Sequence, residues 1–461
     1  MSALLLVVFD GLRPDMIDAR VTPNLVRFGA MGTRLPFARS VFPSETRVCT
    51  ASVTTGCHPR RHGVVANRIA HPRGGEAVDT GDAARLRRFE DEIGAPLVEM
   101  PTLGERLAAA GRSFAVLSSG STGQTYVLNP RADALGQITL SAHGVHACSA
   151  AGRKLLDKLP TPAKPAPDRA EWIAEAFRTQ FLPEAPDATV LWLCEPDTSA
   201  HYGGLNSSAM QAALRRTDAA FGRILDDWEA GPQRERLQIM VASDHGHTAV
   251  TGHRSVGLLL AGTPDSSRCT LVSGSSGGIV VPDGDAHRIV RLAEWFTRQE
   301  WCGCVLAAAA ADAAEGVLSR EVALIEHSRA AHVLFTLRND ENGTLEDGRL
   351  EIGAGTHGGL SRPEMRTVMM LAGSRIRRGW VSDWPAGLPD IAPTMLALLA
   401  VPGGGEMDGR VLTEAFADGA EPAENRSPET WEASAAGYSQ VLARVRLGRH
   451  VWIDGAERYG I

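Results

Sequence analysis

Lysine is nearly missing from this chain: only Lys154, Lys158 and Lys164 occur in 461 residues, and no basic block forms a nucleic-acid tract. Arginine therefore carries the positive charge, and 47 Lys+Arg against 54 Asp+Glu leave a net charge of −7. Long apolar runs are lacking too. None approaches the ~18–20 residues that span a bilayer, so no membrane segment is expected. Leu4–Phe9 is too short for a secretory leader, has no basic lead-in, and ends in Asp10-Gly11 rather than a small-residue cleavage site. The seven cysteines are an odd number without framework spacing, and Cys302-Gly-Cys304 is too close for an easy disulfide and has no metal-ligand partner pair. Reduced thiols and a cytoplasmic location are the expectation. Hydrophobic residues at 44% and charged residues at 22% exclude a mostly disordered chain. The length suits one large domain with an insertion, or two domains.

What the chain does have is a series of short apolar runs without alternation: Leu4–Phe9, Phe114–Leu117, Val190–Cys194, Gln238–Ala242 and Val368–Leu371. Each reads as a fully buried parallel strand. Helical patterns lie between them, among them Leu103–Ala110, Ala170–Phe181 and Ala209–Glu229. The alternation implies an α/β fold with a doubly wound, mostly parallel central sheet and helices on both faces. Residues 256–350 carry a βα pattern of their own, Gly277–Val281 then Arg288–Gln299, and read as a small inserted α+β lobe. Residues 1–255 and 351–461 are then the two parts of the catalytic core, the latter with a C-terminal segment. Proline-dense Leu159–Pro167 predicts a surface loop, Ala307–Ala314 a plain helix, and Asp390–Ala400 a helix with an acidic cap. A late strand is expected at Val445–Trp452, after the polar tract Asp418–Glu432. Ser273–Gly278 lacks the lysine that phosphate loops use.

Doubly wound sheets place their chemistry just beyond the carboxyl ends of strands. The first strand ends in Asp10-Gly11, the third in Cys194-Glu195-Pro196-Asp197, with His201 one helical turn on, and the fourth in Ser243-Asp244-His245-Gly246. A late loop reads Gly355-Thr356-His357-Gly358-Gly359. Three aspartates and three histidines make a mixed oxygen and nitrogen donor set, suited to zinc and tolerable for manganese or iron. Thr46 lies where the extended Phe42-Pro43-Ser44-Glu45 becomes a helix, whose free N–H groups suit a phosphoryl oxygen. Coordination to a metal turns a threonine hydroxyl into a competent nucleophile. Ser118–Gln124 follows a strand and is a candidate pocket loop. His62 reads as a structural histidine at the Gly63 turn, and His247 and His253 as supporting or exposed side chains.

The order Asp … Thr … Asp-x-x-x-His … Asp-His … His resembles the alkaline phosphatase superfamily, and within it the nucleotide pyrophosphatase/phosphodiesterase branch. The resemblance runs from Asp10 through His357 to Asp390-Ile-Ala-Pro393 and Met407-Asp-Gly-Arg410. It implies two divalent ions, zinc before manganese or iron. One would be held by Asp10, Thr46, Asp244 and His245, the other by Asp197, His201 and His357. It makes Thr46 the nucleophile that forms a covalent phosphothreonine, and Asn67 a donor to a phosphoryl oxygen. Read without the resemblance, Asn67 is a turn former and Arg47 either a phosphate contact or a surface ion-pair partner. The chain departs from the family just after the nucleophile: relatives commonly have Phe-Pro-Asn-His, and here stand Arg47-Val48-Cys49-Thr50.

The expected activity is hydrolysis of a small phosphodiester or nucleotide pyrophosphate, with a phosphomonoester or phosphonate as the alternative substrate. Two divalent ions, three aspartates and an alkoxide sum to about zero charge, which tolerates a diester monoanion and asks for another cation beside a dianion. Arg47 is the only candidate near the nucleophile in sequence. His357-Gly-Gly-Leu-Ser361 also resembles phosphonoacetate hydrolases. A sulfatase is disfavoured because the Cys/Ser-x-Pro-x-Arg signature is missing around Thr46. A phosphomutase, or a binding protein without turnover, are the rivals from other classes.

Overall fold

The computed structural model describes residues 2–74, 76–161, 166–272, 276–308 and 314–460. Strand β1 (Ala3–Phe9) is buried along its whole length. Leu4, Leu6 and Val8 enter one hydrophobic core, and Ala3, Leu5, Val7 and Phe9 enter a second on the opposite face. A strand that is apolar on both faces needs helices on both sides, which is why its sequence shows no alternation. The rest of this eight-stranded sheet is β2 (Thr33–Arg34), β3 (Phe114–Ser118), β4 (Ile138–Ser141), β5 (Ala188–Leu193), β6 (Leu237–Ala242), β7 (Met369–Ala372) and β8 (Trp380–Val381). Their spatial order is β8-β2-β7-β6-β1-β5-β3-β4. Strands β4, β3, β5, β1 and β6 run parallel. The helices Thr46–Thr55 and Ile391–Leu398 cover one face; Ala166–Gln180 and Ser208–Ala230 cover the other.

The run Val368–Leu371, expected to be another parallel strand, is antiparallel to both neighbours. The chain arrives at it from the end of the sheet where β6 finishes (the Ser243 N–H donates to the Val368 carbonyl at 3.0 Å) and can only run back. Burial fixes a strand's composition, not its direction.

Between residues 256 and 350 the chain builds a five-stranded sheet in the order Thr270–Val272, Ser276–Val280, Val333–Leu337, Cys302–Ala307, Leu318–Ser319. Its own core packs the helix Ala286–Thr297 on the sheet, with Phe296 and Phe335 stacked at 4.4 Å. Ala307 ends a strand instead of starting a helix, and 309–313 of the alanine-rich run lie outside the described residues. So do 273–275 of Ser273–Gly278 and 162–165 of the proline-dense loop, whose last two residues already belong to the helix Ala166–Gln180.

The C-terminal segment is a three-stranded antiparallel sheet, Arg426–Ala435, Tyr438–Leu447 and His450–Gly460. The expected single strand Val445–Trp452 therefore spans a hairpin turn, which Gly448 makes at φ +57°. Asp390 does not cap its helix through its side chain. Buried completely, its carboxylate accepts from Gly387 N–H (2.8 Å), Arg410 N–H (2.7 Å) and Trp452 Nε1–H (2.9 Å). The neighbouring Gly409 N–H donates to the Gly56 carbonyl (3.0 Å), at the left-handed C-cap of the helix Thr46–Thr55. Asp390 and Met407–Arg410 thus brace the helix that presents Thr46. Asp390→Ala leaves three buried donors without an acceptor and should cost about 3 kcal/mol or more in denaturant unfolding, with Asp390→Asn less damaging.

Candidate active site

Each parallel strand delivers its polar residue at the same end of the sheet. Asp10 follows β1, Asp197 and His201 share the helix Asp197–Gly203 after β5, and Asp244 and His245 follow β6. His357 arrives on a two-residue strand, Gly355–Thr356, that pairs with Thr248–Ala249 beyond His245. Thr46 is the first residue of the helix Thr46–Thr55. Segments far apart in sequence therefore meet in one cluster. The Nε2 of His245 lies 3.3 Å from Thr46 Oγ1, 3.4 Å from Asp10 Oδ1 and 3.3 Å from Asp244 Oδ2. Asp197 Oδ1 lies 3.1 Å from His201 Nε2 and 3.4 Å from His357 Nε2. The rings of His245 and His357 stack at 3.6 Å and join the two groups.

The orientation of the imidazoles decides what such a cluster can hold. In each ring Nδ1 faces a backbone carbonyl: His201 on Gly355 (2.7 Å), His245 on Gly246 (3.0 Å), His247 on Gly11 (2.9 Å) and His357 on Ser44 (2.8 Å). A carbonyl only accepts, so Nδ1 carries the hydrogen and Nε2 turns inward. Burial holds His245 down to about 3 and His357 well below the usual histidine range, so both are neutral and present Nε2 lone pairs. Lone pairs aimed at carboxylate oxygens repel unless a cation lies between them, the arrangement found where imidazole ligates a metal.

The carboxylates agree. Asp10 Oδ2 accepts from Trp192 Nε1–H (2.8 Å) and Asp244 Oδ1 from Gly11 N–H (3.0 Å), while Asp10 Oδ1 and Asp244 Oδ2 are buried without a hydrogen-bond partner. Burial, with the charge of Asp197 beside it, pushes Asp244 up to about 8. Burial and then the Asp244 charge raise Asp10 well above the carboxylate range. Asp197 moves the other way: burial opposes it, but His201 and its neighbours hold it well below the normal range. Such buried acids are costly without a counter-charge, and the donor set fits divalent cations.

His247, which the sequence suggests only for a supporting or exposed role, is fully buried, and its Nε2 lies 3.0 Å from Asp197 Oδ1. With Asp197, His245 and His357 it forms one group of possible ligands; Asp10, Asp244 and His245 form another. Its signal was the short step from His245 across Gly246. The ring packs on Gly11, where φ is +71° and an added Cβ would lie 2.1 Å from the imidazole. His201 joins the cluster through Asp197 (3.1 Å) and through its ring, 5.1 Å from that of His357. His253, by contrast, is exposed, and His62 is buried elsewhere against Ser52 (2.9 Å).

Asn67 Oδ1 accepts from the Arg47 N–H (3.1 Å), which leaves its Nδ2–H₂ group as a donor toward the cavity that it lines. The Asn67 N–H in turn donates to Glu45, so the start of the helix Thr46–Thr55 and the Asn67 loop are tied together. Arg47 lines the same cavity, with Nε on Thr80 Oγ1 (3.3 Å). That cavity, about 470 Å³, is also walled by Ser119, Gly120 and Ser121 of the candidate pocket loop, and by Arg169 and Arg349. Sequence reading missed both arginines, which come from distant segments without a motif. A larger groove of about 680 Å³, around Leu25 and Met370, contains none of these residues.

A model of the type I phosphodiesterase/nucleotide pyrophosphatase family matches residues 4–318. Human ectonucleotide pyrophosphatase/phosphodiesterase family member 7 is 24% identical over 252 residues, 54% of this chain and 48% of the relative. A bis(5'-adenosyl)-triphosphatase from Pongo abelii is 24% identical over 290 residues, 60% of this chain and 54% of the relative. A venom phosphodiesterase from Macrovipera lebetinus is 23% identical over 260 residues, 55% of this chain and 26% of the relative. The chain thus spans a quarter to a half of the length of these curated relatives. Among solved structures, human ectonucleotide pyrophosphatase/phosphodiesterase 5 superposes with a TM-score of 0.63 at 18% identity, covering 91% of this chain and 100% of that one. The murine protein, an inactive variant in complex with AMP, gives a TM-score of 0.62 at 18% identity over 87% of this chain and 96% of that one. By fold and by the family match across most of its length, this chain belongs to the type I phosphodiesterase/nucleotide pyrophosphatase family, within the alkaline phosphatase superfamily.

Proposed function

We propose that the protein hydrolyses phosphate esters, with Thr46 as the nucleophile and two divalent cations, zinc foremost, at the Asp/His cluster. The observation that carries this reading is the set of inward Nε2 atoms and unpartnered carboxylate oxygens around the Thr46 hydroxyl. Asp10, Asp244, His245 and Thr46 would hold one ion; Asp197, His201 and His357, joined by His247, would hold the other. Bound there, the ions would favour ionisation of the hydroxyl and of an attacking water, and offset charge on the phosphoryl oxygens.

The chain's own residues do the rest. Thr46 Oγ1 forms a bond to phosphorus while the bond to the leaving oxygen breaks, and that oxygen departs with the electron pair. Asn67 Nδ2–H₂ donates to an equatorial oxygen of the phosphoryl group. Water then attacks the phosphothreonine, phosphate (or a phosphate monoester, from a diester) leaves, and Thr46 regains its proton. Diesters and nucleotide pyrophosphates, after which the family is named, are the first substrates to assay, with phosphomonoesters and phosphonates as the alternative. A reducing, cytoplasmic setting is proposed from the odd number of cysteines without framework spacing; no helix among the described residues is long and apolar enough to cross a membrane.

Thr46→Ala should lower kcat on bis-p-nitrophenyl phosphate by a factor on the order of 10³ or more, with Thr46→Ser retaining measurable turnover and a trapped phosphoserine detectable by mass spectrometry; full activity of Thr46→Ala removes the nucleophile assignment. Chelation should abolish turnover and lower the melting temperature by about 5 °C or more, both restored by zinc. Asp244→Asn, which removes one buried charge, should blunt that thermal response and weaken zinc uptake. His247→Ala should weaken zinc binding about tenfold in a competition titration, and an unchanged affinity would confine His247 to packing.

A further inference from the structure

The cavity over Thr46 is walled by positive charge. Arg47, Arg169 and Arg349 all line it, from the nucleophile helix, the helix Ala166–Gln180 and the loop after the strand Gly343–Glu346. None of the three forms an ion pair among the described residues. On the helix of Arg169, Arg178 is paired with Glu175 (2.7 Å) and Asp227 (2.6 Å), and Asp168, next to Arg169, is taken by Arg216. Arg169 Nε is sealed from water and has no hydrogen-bond partner. Glu195 is fully buried, accepts from the Ser199 N–H (3.1 Å) and forms no ion pair with Arg169.

Arg349 is exposed, yet its backbone is fixed. Glu346 accepts from the N–H groups of Arg349 (2.7 Å) and Leu350 (3.3 Å), and His253 Nε2 meets the Leu350 carbonyl at 2.6 Å. A guanidinium is charged at every physiological pH and offers a planar fork that suits carboxylate and phosphate. Three such groups add a charge of about +3 to a centre that is close to neutral once two cations, three aspartates and an alkoxide are counted. Ring surface, by contrast, is scarce. Apart from imidazoles, the cavity wall holds one aromatic side chain among the described residues, Tyr202, which is 85% exposed. Two facing rings to sandwich a nucleobase are not there.

We propose that this cavity takes a compact phosphate ester bearing a second anionic group, a carboxylate or a further phosphate, bound by Arg169 and Arg349, and that it does not select a nucleobase. The inference rests on the phosphoryl-hydrolase reading of the site and names its substrate class. Its charge logic reverses the preference for simple diesters that followed when Arg47 was the only visible cation.

The test uses zinc-loaded full-length protein and three matched phosphonates: propylphosphonate, 3-phosphonopropionate and propane-1,3-diphosphonate. Calorimetric affinity should rise at least about tenfold with the second anion, and whichever of the carboxylate and phosphonate arms rises more names its source. In the Arg169→Gln/Arg349→Gln protein the ratio should collapse to about threefold or less, and Arg169→Lys should restore part of it. Arg349→Gln alone, at an exposed position, should already lose several-fold of the ratio. Equal affinity for all three ligands in the wild type, or a ratio that survives in the double variant, overturns the inference. So does a kcat/KM for p-nitrophenyl thymidine 5'-phosphate more than tenfold above that for bis-p-nitrophenyl phosphate. If the wild type hydrolyses neither ester and binds no phosphonate, the phosphoryl-hydrolase reading itself falls, and this inference with it.

Discussion

Four hydrogen bonds from imidazole Nδ1 to backbone carbonyls hold this site in its working form. The carbonyls belong to Gly11, Ser44, Gly246 and Gly355, and so to separate loops at one end of the central sheet. Each bond fixes a ring's tautomer and its plane, and all four point the remaining nitrogen at the same small volume. A side chain acceptor in those positions could itself gain a proton and release the ring. A peptide carbonyl cannot, so the backbone of the sheet's carboxyl edge dictates the protonation pattern of the cluster.

That arrangement works against the stability of the apo chain. The buried Asp10 and Asp244 crowd the half-buried Asp197, and each of the two buried carboxylates keeps an oxygen without a partner. Strain of this kind persists only where the surroundings over-determine it. Here the surroundings are the two cores on either side of β1 and the Asp390 hub, which ties Gly387, Arg410 and Trp452 to the far end of the helix Thr46–Thr55. Distance from the reaction does not make these residues incidental to it: a tilt of the helix would carry the Thr46 hydroxyl away from His245.

Much of this could be read from the chain alone, for identifiable reasons. β1, β3, β5 and β6 announced themselves because burial on both faces demands an uninterrupted apolar run. Asp10, Asp197, Asp244 and His245 were visible because acidic and imidazole side chains directly after such runs have few structural explanations. The direction of β7 was not visible, since the order in which strands insert leaves no trace in their composition. The C-terminal hairpin, mostly polar on its outer strand, hid for lack of a pattern. His247 was passed over because a turn at glycine sets the next side chain, and only the close approach to Gly11 shows where it goes. Arg169 and Arg349 carry no local signature at all; what distinguishes them is that they share a cavity wall with Thr46, a property of three dimensions.

Arg349 belongs to the segment that separates β6 from the loop of His357, and its backbone is moored by Glu346 rather than by any residue of the Asp/His cluster. On the proposed reading, the chemistry and the choice of molecule are thereby encoded on different stretches of polypeptide. Remodelling the tip of that intervening segment would alter which compounds are admitted while the reacting atoms kept their places, so descendants of this scaffold can change diet without relearning the reaction.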